Sequence, residues 1–205
     1  MRLSKTITTI TGGGSDGWDL FIKARKMIAQ GHDITELTIG EHDIKTDTRI
    51  IEAMHAAALG GATGYAMVPG IDTLRETVAK RLATRTGVPT TTDNVLITAG
   101  GQAALFAAFR ACLDAGDTAL YITPYYATYP GTLRGASAIP KCIQTRAEDA
   151  FLPRSEALAE AAEAFGKPVL LIYGDGHDYT VSQPLSKTLP NFAAIEVYGA
   201  DQMHA

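Results

Sequence analysis

A glycine turn at Gly100 and Gly101, followed by Gln102, is the pattern in this chain that points most directly to chemistry. An apolar stretch over residues 94–98 precedes the turn, and an amphipathic helix pattern follows it. Such a turn leaves main-chain N–H groups free at a helix N-terminus, where the helix dipole also favours negative charge. The pattern therefore predicts a seat for a phosphate group.

A cluster of tyrosines follows the next predicted strand, which covers residues 118–123. Pro124 ends that strand, and Tyr125, Tyr126 and Tyr129 come after it. In parallel sheets, ligands bind at the carboxyl ends of the strands, so the phosphate seat and these rings should lie at one edge. We expect one tyrosine to stack on a ligand and the others to be structural. The two motifs together suit a flat, phosphorylated, aromatic cofactor.

Composition excludes several other classes of protein. The chain has 205 residues, 46% hydrophobic residues and a net charge of −4, enough for one sizeable core or two small ones. Mild acidity without a Lys/Arg block argues against a nucleic-acid or anionic-membrane surface. No apolar run approaches the roughly 20 residues of a membrane span. We expect Cys112 and Cys142 to be free thiols, the five histidines to form no metal site, and the protein to be cytoplasmic.

Periodicity predicts alternating helices and strands, and so an α/β fold of three αβα layers around a mostly parallel sheet. After a β-branched arm that ends near residue 15, Asp16 should cap a helix and Asp47 a second one. The predicted helices cover residues 18–30, 46–59, 102–114, 126–134 and 154–164, and a further helix after the loop at 64–70 carries Leu74, Val78 and Leu82. The predicted strands cover residues 37–40, 94–98, 118–123, 137–143 and 168–173.

Four segments, in order along the chain, resemble motifs of the class I aminotransferases, the fold type I enzymes that use pyridoxal 5′-phosphate. The resemblance covers residues 1 to about 164 and implies a partial large domain of that fold. The segments are Leu-Thr-Ile-Gly-Glu-His-Asp (37–43), Gly-Tyr with Pro-Gly-Ile-Asp-Thr-Leu-Arg (64–75), Thr-Ala-Gly-Gly-Gln-Ala-Ala-Leu (98–105) and Pro-Tyr-Tyr (124–126).

The resemblance assigns a role to one residue or turn in each segment. It implies that Gly100, Gly101 and Gln102 bind the cofactor phosphate, mostly through main-chain N–H groups. Tyr126 would stack on the pyridine ring. Tyr65 would reach the phosphate across a homodimer interface, and Gly40 would line the site for the substrate carboxylate, although His42 replaces the proline usual in that motif.

The residues that complete the chemistry of this family come from the part beyond residue 165. Leu-Ser-Lys-Thr (185–188) resembles the segment around the lysine that binds the cofactor covalently, so Lys187 is the candidate catalytic base. The asparagine motif expected after residue 173 is replaced by Gly-Asp-Gly-His-Asp, and no later Gly-x-Arg follows. The chain ends at Ala205, short of a complete enzyme of this family.

The tail over residues 167–205 instead resembles the end of an α/β-hydrolase. This gives an alternative function, an esterase with Ser15 in a Gly-x-Ser-x-Gly turn, Asp178 or Asp175 as the acid and His204 as the base. A non-catalytic aminotransferase remnant is the third possibility.

The resemblances divide the chain into three parts. We expect an arm and first helix over residues 1–45, a partial aminotransferase domain over 46–165, and a divergent or foreign βαβ tail over 166–205. The implied function is amino-group transfer between an amino acid and a 2-oxo acid, with weak or absent activity in this chain alone.

Overall fold

The computed structural model describes residues 2–15, 17–40, 43–165, 169–176, 180–182 and 192–198. Helices and strands alternate from residue 101 to residue 176, as the sequence predicts. The helices are α1 (Lys5–Thr8), α2 (Trp18–Ala29), α3 (Thr48–Leu59), α4 (Asp72–Thr86), α5 (Gly101–Cys112), α6 (Tyr129–Gly135) and α7 (Ser155–Phe165). The strands are β1 (Thr118–Ile122), β2 (Ile139–Ile143), β3 (Val169–Gly176), β4 (Thr180–Ser182) and β5 (Phe192–Tyr198).

Local signals fix the ends of the helices before α5. Asp47 caps α3, because its carboxylate accepts a hydrogen bond from the main-chain N–H of Arg49 at 2.8 Å, as predicted. Gly87 ends α4 in the left-handed conformation at φ 69°. Gly17 occupies the N-cap position of α2, and the predicted cap Asp16 lies outside the described residues.

A parallel pair of strands, β1 and β2, forms the sheet beneath the candidate site. The register runs from Thr118 opposite Ile139 to Ile122 opposite Ile143, and α6 connects the two strands. The core cluster lies between this sheet and α7, and it consists of buried Ile143, Leu158 and Ala161 with half-buried Leu120, Ile122 and Ala157. The predicted α/β class with a parallel sheet is confirmed.

Strands β3, β5 and β4 form a second sheet in that order. Strands β3 and β5 are parallel, as the βαβ prediction for the tail requires, whereas β4 pairs antiparallel with β5. The helix predicted between them lies outside the described residues. The predicted division at residues 45 and 165 stays a prediction.

Two predicted strands are wrong. Residues 37–40 form no strand, and Leu37 is largely exposed. Residues 94–98 also form no strand, and a short 3₁₀ helix covers Thr92–Asn94. Apolar, β-branched residues favour a strand only where a neighbouring strand supplies a hydrogen-bond ladder. The Ile97 N–H does donate to the Pro69 carbonyl at 3.0 Å, but Pro69 lies in a loop, and no strand among the described residues pairs with segment 94–98.

The β-branched arm at the N-terminus contains a short helix. Ser4 caps α1 by accepting a hydrogen bond from the Ile7 N–H at 3.3 Å, and turns follow as far as Gly14. Among the described residues, no helix is both long and apolar enough to cross a membrane.

Candidate functional site

The turn that starts α5 has the geometry of an anion seat. Gly100 adopts φ 83° and ψ 169°, a conformation that glycine tolerates and other residues rarely adopt. A Cβ built on Gly100 or Gly101 would meet no atom within 4 Å, so space lies in front of the helix. The first N–H groups of a helix have no acceptor within it. The main-chain N–H groups of Gly101, Gln102 and Ala103 are therefore the donors of this seat.

The side chain of Gln102 is used within the protein. Its Oε1 accepts a hydrogen bond from Thr128 Oγ1 at 2.8 Å, and its Nε2 donates to Thr132 Oγ1. Thr132 is buried and its hydroxyl donates to the Thr128 carbonyl at 2.8 Å. Gln102 thus braces the first turn of α5 against α6, and its contribution to the seat is the main-chain N–H.

Hydrogen bonds beyond the last residue of β1 fix the segment that carries the tyrosines. The Thr123 N–H donates to the Ile143 carbonyl at 3.0 Å, and the Thr145 N–H donates to Thr123 Oγ1 at 2.8 Å. A cis peptide bond joins Thr123 to Pro124. These bonds continue the pairing of β1 with β2 up to the residue before Pro124 and so hold the start of the tyrosine segment.

Two tyrosines pack against each other at this strand end. The ring centroids of Tyr121 and Tyr125 lie 4.7 Å apart with an interplanar angle of 85°, an edge-to-face pair. Burial raises the pKa of the Tyr121 phenol, and neighbouring Cys142 and Tyr125 raise it further. Tyr121 therefore keeps its proton at neutral pH and can donate a hydrogen bond.

One cavity joins the turn to the aromatic pair. Its volume is about 680 Å³, within the usual range for small-molecule sites. Its lining comes from the turn and α5, the end of β1, α6 and the N-terminal segment. The lining residues are Ile10, Thr11, Ser15, Ala99, Gln102, Ala103, Phe106, Tyr121, Tyr125, Ala127, Thr128, Pro130, Gly131, Thr132, Arg134 and Gly135.

The N-terminal segment forms one wall of this cavity because Arg134 holds it there. Arg134 Nη1 donates to the Ile10 carbonyl at 3.1 Å. Gly12 lies against the guanidinium so closely that a Cβ there would be 2.5 Å from Arg134 Nη2. The cavity therefore has a cation at its edge.

Ser15, the nucleophile of the alternative esterase, lacks the setting that this role needs. Its hydroxyl accepts a hydrogen bond from the Gly17 N–H at 3.0 Å, within a local turn. A nucleophile elbow follows a strand, but turns and the short helix α1 precede Ser15. The esterase prediction is therefore wrong at this residue, and its partners Asp178 and His204 lie outside the described residues.

Other predicted site residues do not line the cavity. Tyr126 is 60% exposed, with its ring 6.1 Å from that of Tyr129, whereas its neighbour Tyr125 does line it. Tyr65 is fully exposed, and a Cβ on Gly40 would meet open space. Lys187 lies outside the described residues. The cofactor role of Tyr126, Tyr65 and Lys187 and the substrate role of Gly40 stay predictions.

Sequence reasoning missed two cavity residues that matter to its geometry, Tyr121 and Thr132, and left Arg134 without an assigned role. Tyr121 lies within a strand pattern and precedes the tyrosine cluster, so only its proximity to Pro124 signals a role. Thr132 and Arg134 lie on α6, and each is about one helical turn from another cavity residue. Because α6 has only seven residues, its sequence is too short to show a periodic pattern.

Comparison with known proteins identifies the family. The model of the class I and II aminotransferases matches residues 32–173. The aspartate/prephenate aminotransferase of Thermus thermophilus is 36% identical over 139 residues, which are 68% of this chain and 36% of that protein. The arginine–pyruvate transaminase of Pseudomonas aeruginosa is 32% identical over 159 residues, 78% of this chain and 40% of that protein.

Solved structures agree with these sequence matches. Thermus thermophilus aspartate aminotransferase, solved with maleate, superposes with a TM-score of 0.76 at 32% identity and covers 86% of this chain. The chain covers 46% of that structure, so it spans less than half the length of the relatives it matches. The family model matches more than half of the chain and these relatives agree with it, so the chain belongs to the class I and II aminotransferases.

Proposed function

We propose that this chain is the cofactor-binding portion of a pyridoxal 5′-phosphate-dependent aminotransferase. The reaction is amino-group transfer between an amino acid and a 2-oxo acid. One observation carries the proposal: in a chain of this family, Gln102 and Ala103, whose N–H groups are free at the start of α5, line the same cavity as Tyr125, which follows β1.

The donor set of the cavity fits the phosphorylated end of this cofactor. Main-chain N–H groups of Gly101, Gln102 and Ala103 converge at a helix N-terminus, where the helix dipole favours an anion. The open space in front of Gly100 leaves room for phosphate oxygens. In the proposed site these N–H groups hold the phosphate, and the Gln102–Thr132 contact fixes their direction.

The aromatic segment fits the ring of the cofactor. Tyr126 is exposed beside two cavity residues, Tyr125 and Ala127, so a face of its ring is available for stacking. Tyr125 instead packs against Tyr121 in the cavity wall. We assign the stacking role to Tyr126 and a supporting role to the Tyr121–Tyr125 pair.

When bound, the cofactor supplies an electron sink that lowers the cost of removing a proton from the amino acid. Lys187 is the proposed residue that moves this proton, and Gly40 the proposed neighbour of the substrate carboxylate. Ile10 and Thr11, held by Arg134, close one side of the cavity and reduce its contact with water.

A homodimer and a cytoplasmic location complete the proposal. Side chains of α3 and of the loop after it are largely exposed, among them Met54, Leu59, Tyr65 and Val68. An apolar surface of this kind supports pairing with a second copy, with Tyr65 reaching the partner's phosphate. Cys112 and Cys142 are free thiols, which supports a reducing compartment.

Reduction with borohydride tests the proposal. The chain is saturated with pyridoxal 5′-phosphate, reduced, digested and analysed by mass spectrometry, with Lys187→Arg as the matched control. We expect saturable binding that inorganic phosphate displaces. A label on Lys187 that the control lacks assigns the covalent role to this residue. Saturable binding without any lysine label identifies a cofactor-binding portion that lacks its lysine, and absence of saturable binding contradicts the proposed function.

A further inference from the structure

Arg75 fastens the start of α4 to the segment that leads into the phosphate turn. Its Nε donates to the Val95 carbonyl at 3.1 Å, and its Nη2 donates to the Thr92 carbonyl at 2.6 Å. Its Nη1 forms an ion pair with Asp72 at 3.0 Å. The Arg75 side chain is 12% exposed. One guanidinium therefore joins α4 to residues 92–95 across about twenty positions of sequence.

A second contact joins the loop before α4 to the same segment. The Ile97 N–H donates to the Pro69 carbonyl at 3.0 Å. Gly70 adopts φ 108°, and a Cβ there would lie 2.6 Å from Ile97 Cγ1 and 2.8 Å from Ile97 Cβ. Only glycine permits this approach, so loop and segment are locked side by side.

The two locked segments are those to which the proposed function assigns the phosphate. Ile97 lies three residues before Gly100, and Pro69 lies four residues after Tyr65. We propose that Arg75 is a positioning residue for the phosphate sites. It fixes the Gly100 turn, which holds this chain's phosphate, relative to the loop carrying Tyr65, which reaches the phosphate of the second copy. This inference rests on the proposed function.

The chemistry of the contact requires arginine. A guanidinium presents five N–H donors in a rigid fork, which here reach two carbonyls and a carboxylate at once. A lysine at the same position is a single point charge on a flexible stem and cannot reproduce that geometry. Arg75→Lys therefore keeps the charge while it releases at least one of the two carbonyls.

Comparing two ligands separates positioning from general stability. Dissociation constants are measured by fluorescence quenching for pyridoxal 5′-phosphate and for pyridoxal, which lacks the phosphate. We expect Arg75→Lys to reduce the preference for the phosphorylated ligand by about tenfold, with affinity for pyridoxal unchanged. Arg81→Lys is the matched control, because Arg81 is exposed on the same helix and its side chain forms no hydrogen bond or ion pair with a described residue.

Gly70→Ala disturbs the packing of the loop on Ile97 and should reduce the preference for the phosphorylated ligand to a similar extent. This variant tests the positioning role if Arg75→Lys does not fold. Equal weakening of both ligands, or an unchanged preference in a folded variant, overturns the positioning role and leaves the proposed function intact. A wild-type chain that binds neither ligand overturns the proposed function together with this inference.

Discussion

Arg134 donates from Nη1 to the main-chain carbonyl of Ile10 at 3.1 Å, a contact between residues 124 positions apart. Through this hydrogen bond, α6 holds the N-terminal segment as a wall of the cavity. The donor is charged and the acceptor is a main-chain group, so no pattern in the sequence announces the contact.

Removing the Arg134 guanidinium should release the N-terminal segment. Arg134→Met keeps the apolar stem and loses a charged hydrogen bond, which contributes about 1–2 kcal/mol. We expect a non-specific protease to cut within residues 11–15 about tenfold faster. Arg146→Met is the control, because the exposed pair of Arg146 with Glu148 contributes little. Equal cleavage of both variants and wild type would contradict the anchoring role.

Alanine substitutions at two neighbouring glycines distinguish the cost of backbone strain from the cost of a steric contact. Gly12 and Gly13 both have positive φ, at 67° and 83°, so alanine at either position costs about 1 kcal/mol of strain. A Cβ on Gly12 also meets Arg134, whereas one on Gly13 meets no atom within 4 Å. Gly12→Ala should therefore lower the free energy of unfolding by about 1 kcal/mol more than Gly13→Ala. Urea denaturation measures the difference, and equal losses would show that Arg134 moves aside without cost.

Thr132→Val should destabilise the first turn of α5. Valine keeps the shape of threonine but leaves Gln102 Nε2 without its acceptor, at a cost of about 1–2 kcal/mol. Thr132→Ser keeps the hydroxyl and loses one methyl group, worth about 0.8 kcal/mol. We expect faster amide hydrogen exchange over residues 104–107, whose N–H groups donate to carbonyls of the first turn and its cap, in the valine variant alone. Similar exchange in both variants would contradict the bracing role of Gln102.

Protonation of the Asp149 carboxylate should lower the stability of the protein in acid. The hydrogen bond from Arg154 holds the pKa of the Asp149 carboxyl below its ordinary value of 3.8, and burial opposes this only in part. A lowered folded-state pKa gives stability that is present above about pH 4 and is lost as the pH falls through the folded-state value. Asp149→Asn should reduce the difference in Tm between pH 7 and pH 3.

Glu163→Gln is the control for Asp149. Glu163 is exposed on α7, and no hydrogen bond or ion pair joins it to a described residue. We expect its substitution to leave the difference in Tm unchanged. If Asp149→Asn keeps the full acid sensitivity of the wild type, the Asp149–Arg154 pair does not contribute to it.

The two adjacent tyrosines should differ in their effect on cofactor binding. If Tyr126 stacks on the pyridine ring, Tyr126→Leu should weaken binding of pyridoxal 5′-phosphate about three- to tenfold, the range of an aromatic pair. Tyr125→Leu should weaken it less, because the Tyr125 ring packs on Tyr121. Fluorescence titration measures both constants, and the reverse order would move the stacking role to Tyr125.

The helices were predictable because their signals are local. The capping carboxylate of Asp47 depends on residues within one turn of its helix, and the cap lies where the pattern indicates. The strands predicted at 37–40 and 94–98 are absent. Apolar residues alone do not make a strand, because a strand depends on a partner that its own residues do not specify.

In the candidate site, too, the local features were predictable from the sequence and the long-range contacts were not. The glycine turn that begins α5 was predictable because glycine adopts the positive φ of Gly100 without strain, and its phosphate role stays a prediction. The cavity wall was not, because it depends on Arg134 meeting Ile10, and Thr132 meeting Gln102, across long intervals of sequence. The family resemblance could name the residues of the site but not the contacts that hold them.

The side-chain amide of Gln102 bonds to Thr128 and Thr132, and the donor that we assign to the phosphate is its peptide N–H, which every amino acid except proline carries. A substitution of Gln102 would therefore remove the side-chain hydrogen bonds to α6 and keep the main-chain N–H donor. A phosphate site built from main-chain N–H groups can persist after its side chains have been substituted. A search for particular side chains would overlook such a site.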